Sequence, residues 1–356
     1  MQNEFDAALA AIQPLDQSLA AQGQAHLDNL TKPQGSLGRL EDLALQMYLI
    51  QEGQALQADP MRIYTVAGDH GVNDEGVSLF PQEVTRQMIL NFLGGGAGIN
   101  VLAKTAGAQL YVVDAGSCGG GYDEHPNLIQ AKIAQGTANL AKGPAMTREQ
   151  CLKALLLGIS LADRAHEAGV KVLGTGDMGI SNTTPSTALY CAYLGLDPVT
   201  MTGPGTGLDA EGVSIKAAAI TRGLEVNKGV VESGDPVEIL AALGGLEIAA
   251  LAGLIIGGAK NRQLICVDGF ISTAAYTAAW KICPVVKEYC VISHASAEPG
   301  HKAAVSAMGL EPLLDLGFRL GEGTGSACAM YLVRSAVDMY NDMATFADAG
   351  VAEARD

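Results

Sequence analysis

The chain has 356 residues, 48% of them apolar and only 17% charged, so it has material for a large buried core and is not a disordered or highly charged tail. A formal net charge of −16 argues against nucleic acid and anionic membrane surfaces as partners, though backbone amides at a helix N-terminus can hold a small phosphate even in an acidic protein. Seven cysteines with no C-x-x-C pair read as reduced thiols rather than a disulfide framework or a zinc site.

The first residues, MQNEFDAALA, lack a basic segment followed by an apolar one, so no secretory leader is expected and the expected location is cytoplasmic. Residues from about 4 to 55 carry alanine, leucine and glutamine at helical spacing, broken by the polar stretch Lys32–Gly38. Short β-rich runs then appear at Arg62–Val66, Leu110–Val113, Val170–Leu173, Leu264–Val267 and Glu288–Ile292, each followed by a stretch able to form helix. Strands alternating with helices imply parallel pairing through right-handed crossovers, hence an α/β fold: a Rossmann-like parallel sheet flanked by helices. The expected division is an N-terminal helical segment (1–58), an α/β substrate-binding domain (59–310) and a C-terminal helical segment (311–356). The two end segments would form a smaller helical domain. Val237–Ala259 is broken by Glu238, Glu247 and five glycines and reads as a buried helix rather than a membrane span.

Each strand run ends in a small or polar cluster: AGDHG at 67–71, DAGSCGGG at 114–121, GTGDMG at 174–179, VDGF at 267–270 and SHASAEPGH at 293–301. Ligands of open parallel sheets bind outside the carboxyl ends of the strands, so these five loops are expected to line one site. Between Gly176 and Gly195 a glycine-bounded turn enters a helix at Asn182-Thr183-Thr184-Pro185. Pro185 suits the first helical turn, while Asn182 and Thr183 can cap the helix and leave amides free for a phosphate. An ordinary capped helix explains the same residues. A second glycine turn, Thr202–Asp209, precedes another expected helix but matches neither a Walker A loop nor a dinucleotide fingerprint.

In RLGEGTGSACAM, Arg319–Met330, Glu322 stands between two glycines at a helix entrance. It reads either as an acid favoured by the helix dipole or as a general base in a partly desolvated pocket. Asp69, His70 and Asp268 end strands on the same edge, where they could hydrogen-bond a sugar or anchor a loop, anchoring being the default role. His70, His294 and His301 lack metal-ligand spacing, so no metal is expected, and no G-x-S-x-G elbow is present.

Taken in order, KPQGSLGRLE (32–41), AGDHGV, GDMGISNTTPS, TGPGTGLD, GGLEIAALAG, DGFISTAAY, SHASAEPGH and RLGEGTGSA resemble the nicotinate-nucleotide:dimethylbenzimidazole phosphoribosyltransferase family over nearly the whole chain. The resemblance implies transfer of 5-phosphoribosyl from nicotinate mononucleotide to 5,6-dimethylbenzimidazole, with inversion at C1′ and no cofactor or metal. It implies that Glu322 is the general base, with Asp177 as a second catalytic carboxylate. Gly179, Asn182, Thr183, Thr184, Gly203 and Gly205 would cradle phosphate and ribose. Gly321 is also expected to touch substrate, and Ser296 the nicotinate carboxylate. Phe80, Gln87, Met88, Met178 and Leu320 would wall the base pocket. The partners implied are those two substrates and a second copy of the chain, a homodimer in which a partner's N-terminal segment helps close the site.

Three positions depart from the pattern: Asp177 stands where glutamate is frequent, Ser181 where glycine is usual, and Pro204 where arginine is common. Ser181 is expected to be tolerable only without a positive φ, and Pro204 removes a cation and an amide near the phosphate. Two other readings remain: an NAD(P)-dependent oxidoreductase on a Rossmann-like sheet, and a non-catalytic protein that retains the pocket.

Overall fold

Helix-forming composition at the start of the chain gives α1 (Gln2–Ala10), α2 (Ala20–Asn29) and α3 (Arg39–Ile50) in the computed structural model, which describes residues 1–352. The final residues of the expected C-terminal segment, 353–356, lie outside the described residues. Lys32–Gly38 forms the expected break, and its base is pinned where Lys32 Nζ meets Glu41 Oε2 at 2.9 Å.

Six parallel strands follow: β1 (Met61–Gly68), β2 (Gln109–Gly116), β3 (Leu128–Gln130), β4 (Val172–Met178), β5 (Leu264–Val267) and β6 (Cys290–Ile292), ordered β3-β2-β1-β4-β5-β6. β1, β4 and β5 are buried almost throughout, as strands covered on both faces must be. β3 is an addition to the five expected strands. It is a short, partly exposed edge strand without apolar alternation, which is why the sequence did not announce it.

Helices α4 (Glu83–Leu93) and α5 (Gly98–Ala106) join β1 to β2, and α6 (Arg148–Glu167) joins β3 to β4. Between β4 and β5 lie α7 (Thr183–Leu194), α8 (Pro198–Met201), α9 (Ala210–Val226), α10 (Lys228–Ser233), α11 (Pro236–Leu243) and α12 (Leu246–Lys260). Then come α13 (Phe270–Ile282), α14 (Pro299–Ala307), α15 (Thr324–Asp342) and α16 (Phe346–Ala349). The single buried helix expected over Val237–Ala259 is instead α11 and α12. The pair Gly244–Gly245 breaks it by taking extended backbone, and a side chain on Gly245 would strike the His70 ring and Glu247.

α12 packs on β1, β2, β4 and β5 with α6 and α13 beside it, while α15 packs on β1, β4 and β5 with α3 and α5 beside it. The approach of α6 to α12 depends on Gly158 and Gly253, whose absent side chains would collide with the backbone at Ala250 and Leu155. One continuous set of buried apolar side chains runs from Phe5 and Leu27 through the strands to Met330 and Val337, so the end segments share their core with the sheet.

Candidate active site

The chain winds from β1 outward to β3 and then restarts at β4, which puts a topological switch point between β1 and β4. On the β4 side a crevice is lined by Asp177, Met178 and Gly179, by Asn182 and Thr183 opening α7, and by Gly205 and Thr206. Its far wall is Phe270, His294, Ser296, Glu298 and Arg319–Gly321. The loops after β4, β5 and β6 therefore form its wall. Of the five loops expected to line one site, those after β1 and β2 contribute no residue to this crevice. Gly68 abuts Glu247, and Asp69 Oδ2 accepts the Cys118 amide at 2.7 Å.

Glu322 sits in a turn where Gly321, Glu322 and Gly323 all have positive φ, at 82°, 65° and 99°. A left-handed glutamate costs roughly 1–2 kcal/mol and persists only where its surroundings hold it. They do so from several sides. The Thr65 hydroxyl donates to Glu322 O at 2.6 Å, the Glu322 amide donates to Asp177 O at 3.2 Å, and no side chain at Gly176 intervenes. Asp268 fixes the next turn by accepting the amides of Gly323 (3.0 Å), Gly325 (2.7 Å) and Ser326 (3.2 Å), the anchoring role expected of it. Glu322 is 6% exposed, and its Oε2 accepts the Ile99 amide in the first turn of α5 at 3.2 Å. Burial raises its pKa above the ordinary glutamate range; the Ile99 amide opposes the shift and nearby Asp268 adds to it. These are the surroundings a base working near neutral pH requires.

Asp177, near the end of β4, accepts Asn182 Nδ2 at 2.9 Å through Oδ2, while its buried Oδ1 has no partner. Burial, followed by the charge of Asp268, pushes its pKa well above the usual carboxylate range. Gly321 has φ +82°, which favours glycine, and a Cβ there would press on both Asp177 oxygens at 3.2 Å.

The entrance to α7 is built differently from the capped helix expected. Asn182 makes no side-chain cap: its side chain goes to Asp177 and its amide to Gly179 O. Thr183 turns its hydroxyl to Lys216 Nζ, 2.7 Å away, and Lys216 also donates to Gly203 O at 3.1 Å. Ser181 has φ +76°, contrary to the expectation that serine needed a negative φ there. The Ser181 hydroxyl donates to Asn73 Oδ1 at 2.8 Å and offsets the strain. Pro204 leaves the turn without its usual arginine, yet two cations flank it: Lys216 from α9 and Arg319, whose Nη1 reaches Gly205 O at 3.5 Å. Lys216 is almost fully buried, and burial, only partly opposed by Glu298, lowers its pKa to about 8.

Of the other residues singled out, Met178, Gly179, Gly205, Ser296, Leu320 and Gly321 line the crevice. Thr184 and Gly203 lie behind it, Thr184 with its hydroxyl buried and unpartnered. Phe80, Gln87 and Met88 stand on or just before α4, outside the crevice wall, Phe80 and Gln87 being exposed. A second, apolar groove adjoins the crevice, lined by Gly98, Val101, Leu102, Phe318, Leu320 and Thr324; a Cβ on Gly98 would lie 3.5 Å from Glu322 Oε2. Sequence reasoning missed Lys216, Glu298, His294 and Arg319 as site residues. Lys216 carries a faint signal, a lone lysine among alanines one turn and a half into the helix after a glycine turn. His294 lies 3.6 Å from Asp268, whose charge overcomes the effect of burial and raises its pKa. Among the described residues no cluster of three or more His, Cys, Asp or Glu is placed to hold a metal ion.

A family model described as phosphoribosyltransferase matches residues 12–351. The nicotinate-nucleotide–dimethylbenzimidazole phosphoribosyltransferase of Nitratidesulfovibrio vulgaris strain Hildenborough is 65% identical over 357 residues, covering all of both chains. The protein of that name from Geobacter sulfurreducens is 51% identical over 346 residues, 97% of each chain. The crystal structure of CobT from Thermus thermophilus superposes with a TM-score of 0.90 at 44% identity, covering 95% of this chain and 100% of that one. Nothing in these likenesses favours the oxidoreductase reading.

Proposed function

The chain belongs to the nicotinate-nucleotide–dimethylbenzimidazole phosphoribosyltransferases, and we propose that Glu322 is the base that carries their reaction here. The enzyme moves 5-phosphoribosyl from nicotinate mononucleotide to 5,6-dimethylbenzimidazole. The products are α-ribazole 5′-phosphate, used in the nucleotide loop of cobalamin, and nicotinate. The attacking base must lose its N–H proton, whereas the departing pyridinium leaves as a neutral ring and needs no acid. One carboxylate with a raised pKa therefore suffices, and its charge also stabilises the positive charge that develops at C1′.

The observation that supports this assignment is the position of Glu322: it follows Gly321 of the polar crevice, and its Oε2 lies against Gly98 of the apolar groove, where a phosphoribosyl group and a flat base would meet. In this reading the 5′-phosphate lies on Thr183, Gly205 and Thr206 with Lys216 and Arg319 as its cations. Gly179 and Asn182 face the ribose, and Ser296 the nicotinate carboxylate. Asp177, whose proton affinity burial raises, assists at the ribose. Met178 and Leu320 wall the base, which enters the groove beside Val101 and Leu102.

That groove is open on one side, with Val101 61% and Leu320 60% exposed. The opening supports a homodimer in which a second copy completes the wall, bringing Phe80, Gln87 and Met88 into use at that boundary. Seven free thiols accord with a reducing, cytoplasmic setting. Purified protein given nicotinate mononucleotide and 5,6-dimethylbenzimidazole should release one nicotinate for each α-ribosyl phosphate product, followed by chromatography. Folded protein that releases no nicotinate in response to the base would overturn this reading.

A further inference from the structure

Glu298 has no task in the reaction just described, yet it occupies the phosphate end of the crevice. It is the N-cap residue of α14 but makes no side-chain cap there. Its side chain turns to the glycine turn instead, so close that a Cβ on Gly203 would strike the carboxylate. It is 6% exposed, and none of the ion pairs within 4.0 Å among the described residues includes it. The groups facing it are Lys216 from α9, Arg319 from the turn before Glu322, and the Gly205 amide; all three favour its charged form, and burial outweighs them to raise its pKa. His301, on the helix that Glu298 heads, is held down to about 3 by burial and the neighbouring His294, and so brings no charge near neutral pH.

A phosphate monoester lying on Thr183, Gly205 and Lys216 would face this carboxylate at close range, and two such anions repel each other. A single proton removes the conflict. Carried on a phosphoryl oxygen, it is donated to the Glu298 carboxylate, and the repulsion becomes a charge-assisted hydrogen bond.

We propose that Glu298 reads the 5′-phosphate by sharing one proton with it, so that substrate binding takes up a proton and sulfate, which has no proton to share, is rejected. The inference rests on the phosphoribosyl reading of this crevice. Above the second ionisation of a phosphate monoester, at about pH 6, free ligand and free carboxylate are both deprotonated; the complex holds one proton, taken from solvent.

Calorimetric titration with nicotinate mononucleotide at about pH 8, in two buffers of unlike ionisation heat, should show uptake of about one proton that Glu298→Gln abolishes and Glu298→Asp retains. The difference between variants separates this proton from any taken up at Glu322, Asp177 or Lys216. Inorganic phosphate should displace the mononucleotide from the unchanged protein at a concentration at least about tenfold below that of sulfate, the value of one hydrogen bond to a charged group. In Glu298→Gln, whose amide can donate to either anion, sulfate should gain until the two differ by no more than about threefold. A gain of sulfate binding is a result that misfolding cannot produce. Proton uptake unchanged by Glu298→Gln, or sulfate competing as well as phosphate in the unchanged protein, overturns the role of Glu298. If turnover persists in that case, the reaction and its site stand; absence of turnover in folded, unchanged protein overturns both.

Discussion

At the residue scale the site is a cluster of buried acids whose proton affinities are raised, Asp177 further than Glu322. Glu322 touches the amide-rich start of α5, which restrains the rise caused by burial, while Asp177 has one amide donor, one orphaned oxygen and Asp268 nearby. Folded Asp177 therefore holds its proton more tightly than the unfolded chain does. As pH rises from the ordinary aspartate range, about 3.9, the unfolded chain releases that proton first, and the native state loses stability until the raised folded pKa is passed. Asp177→Asn relieves this cost. Its melting midpoint should exceed that of the unchanged protein at neutral pH, the difference should shrink below about pH 4, and turnover should fall. An unchanged or lower midpoint at neutral pH would show that Asp177 is not held protonated.

At the scale of elements, the catalytic turn is positioned by how closely β4 lets it approach. Gly176 lies under the Glu322 carbonyl, and a Cβ there would collide with the Glu322 backbone and lie 2.8 Å from the Gly323 amide. The backbone has to move, because no flexible side chain is available to yield. Gly176→Ala is expected to cost about 1–3 kcal/mol of stability as overpacking, and to lower turnover roughly a hundredfold through displacement of about 1 Å at the base. Gly229→Ala, where nothing lies within 4 Å, provides the control and should change neither. Thermal unfolding and steady-state turnover of both variants check this; a Gly176→Ala enzyme with normal turnover would mean that the turn is not held from beneath.

At the scale of the whole molecule, the strands of the α/β sheet and the glycine turns beside them were legible because buried parallel strands leave continuous apolar runs and tight turns leave glycines. The partly exposed edge strand β3 left no such run, and the break between α11 and α12 was masked by apolar residues on both sides of Gly244–Gly245. Lys216, Arg319 and Glu298 come to one crevice from three separate elements, a convergence that no local pattern encodes. Glu322 was singled out in the sequence with two roles open, since spacing alone could not say whether its turn was desolvated. The most direct test of the account is the rate of nicotinate release by Glu322→Gln beside its affinity for nicotinate mononucleotide. Turnover should fall by roughly two to four orders of magnitude with affinity little changed. Near-normal turnover in that variant would contradict the assignment of Glu322 as the base.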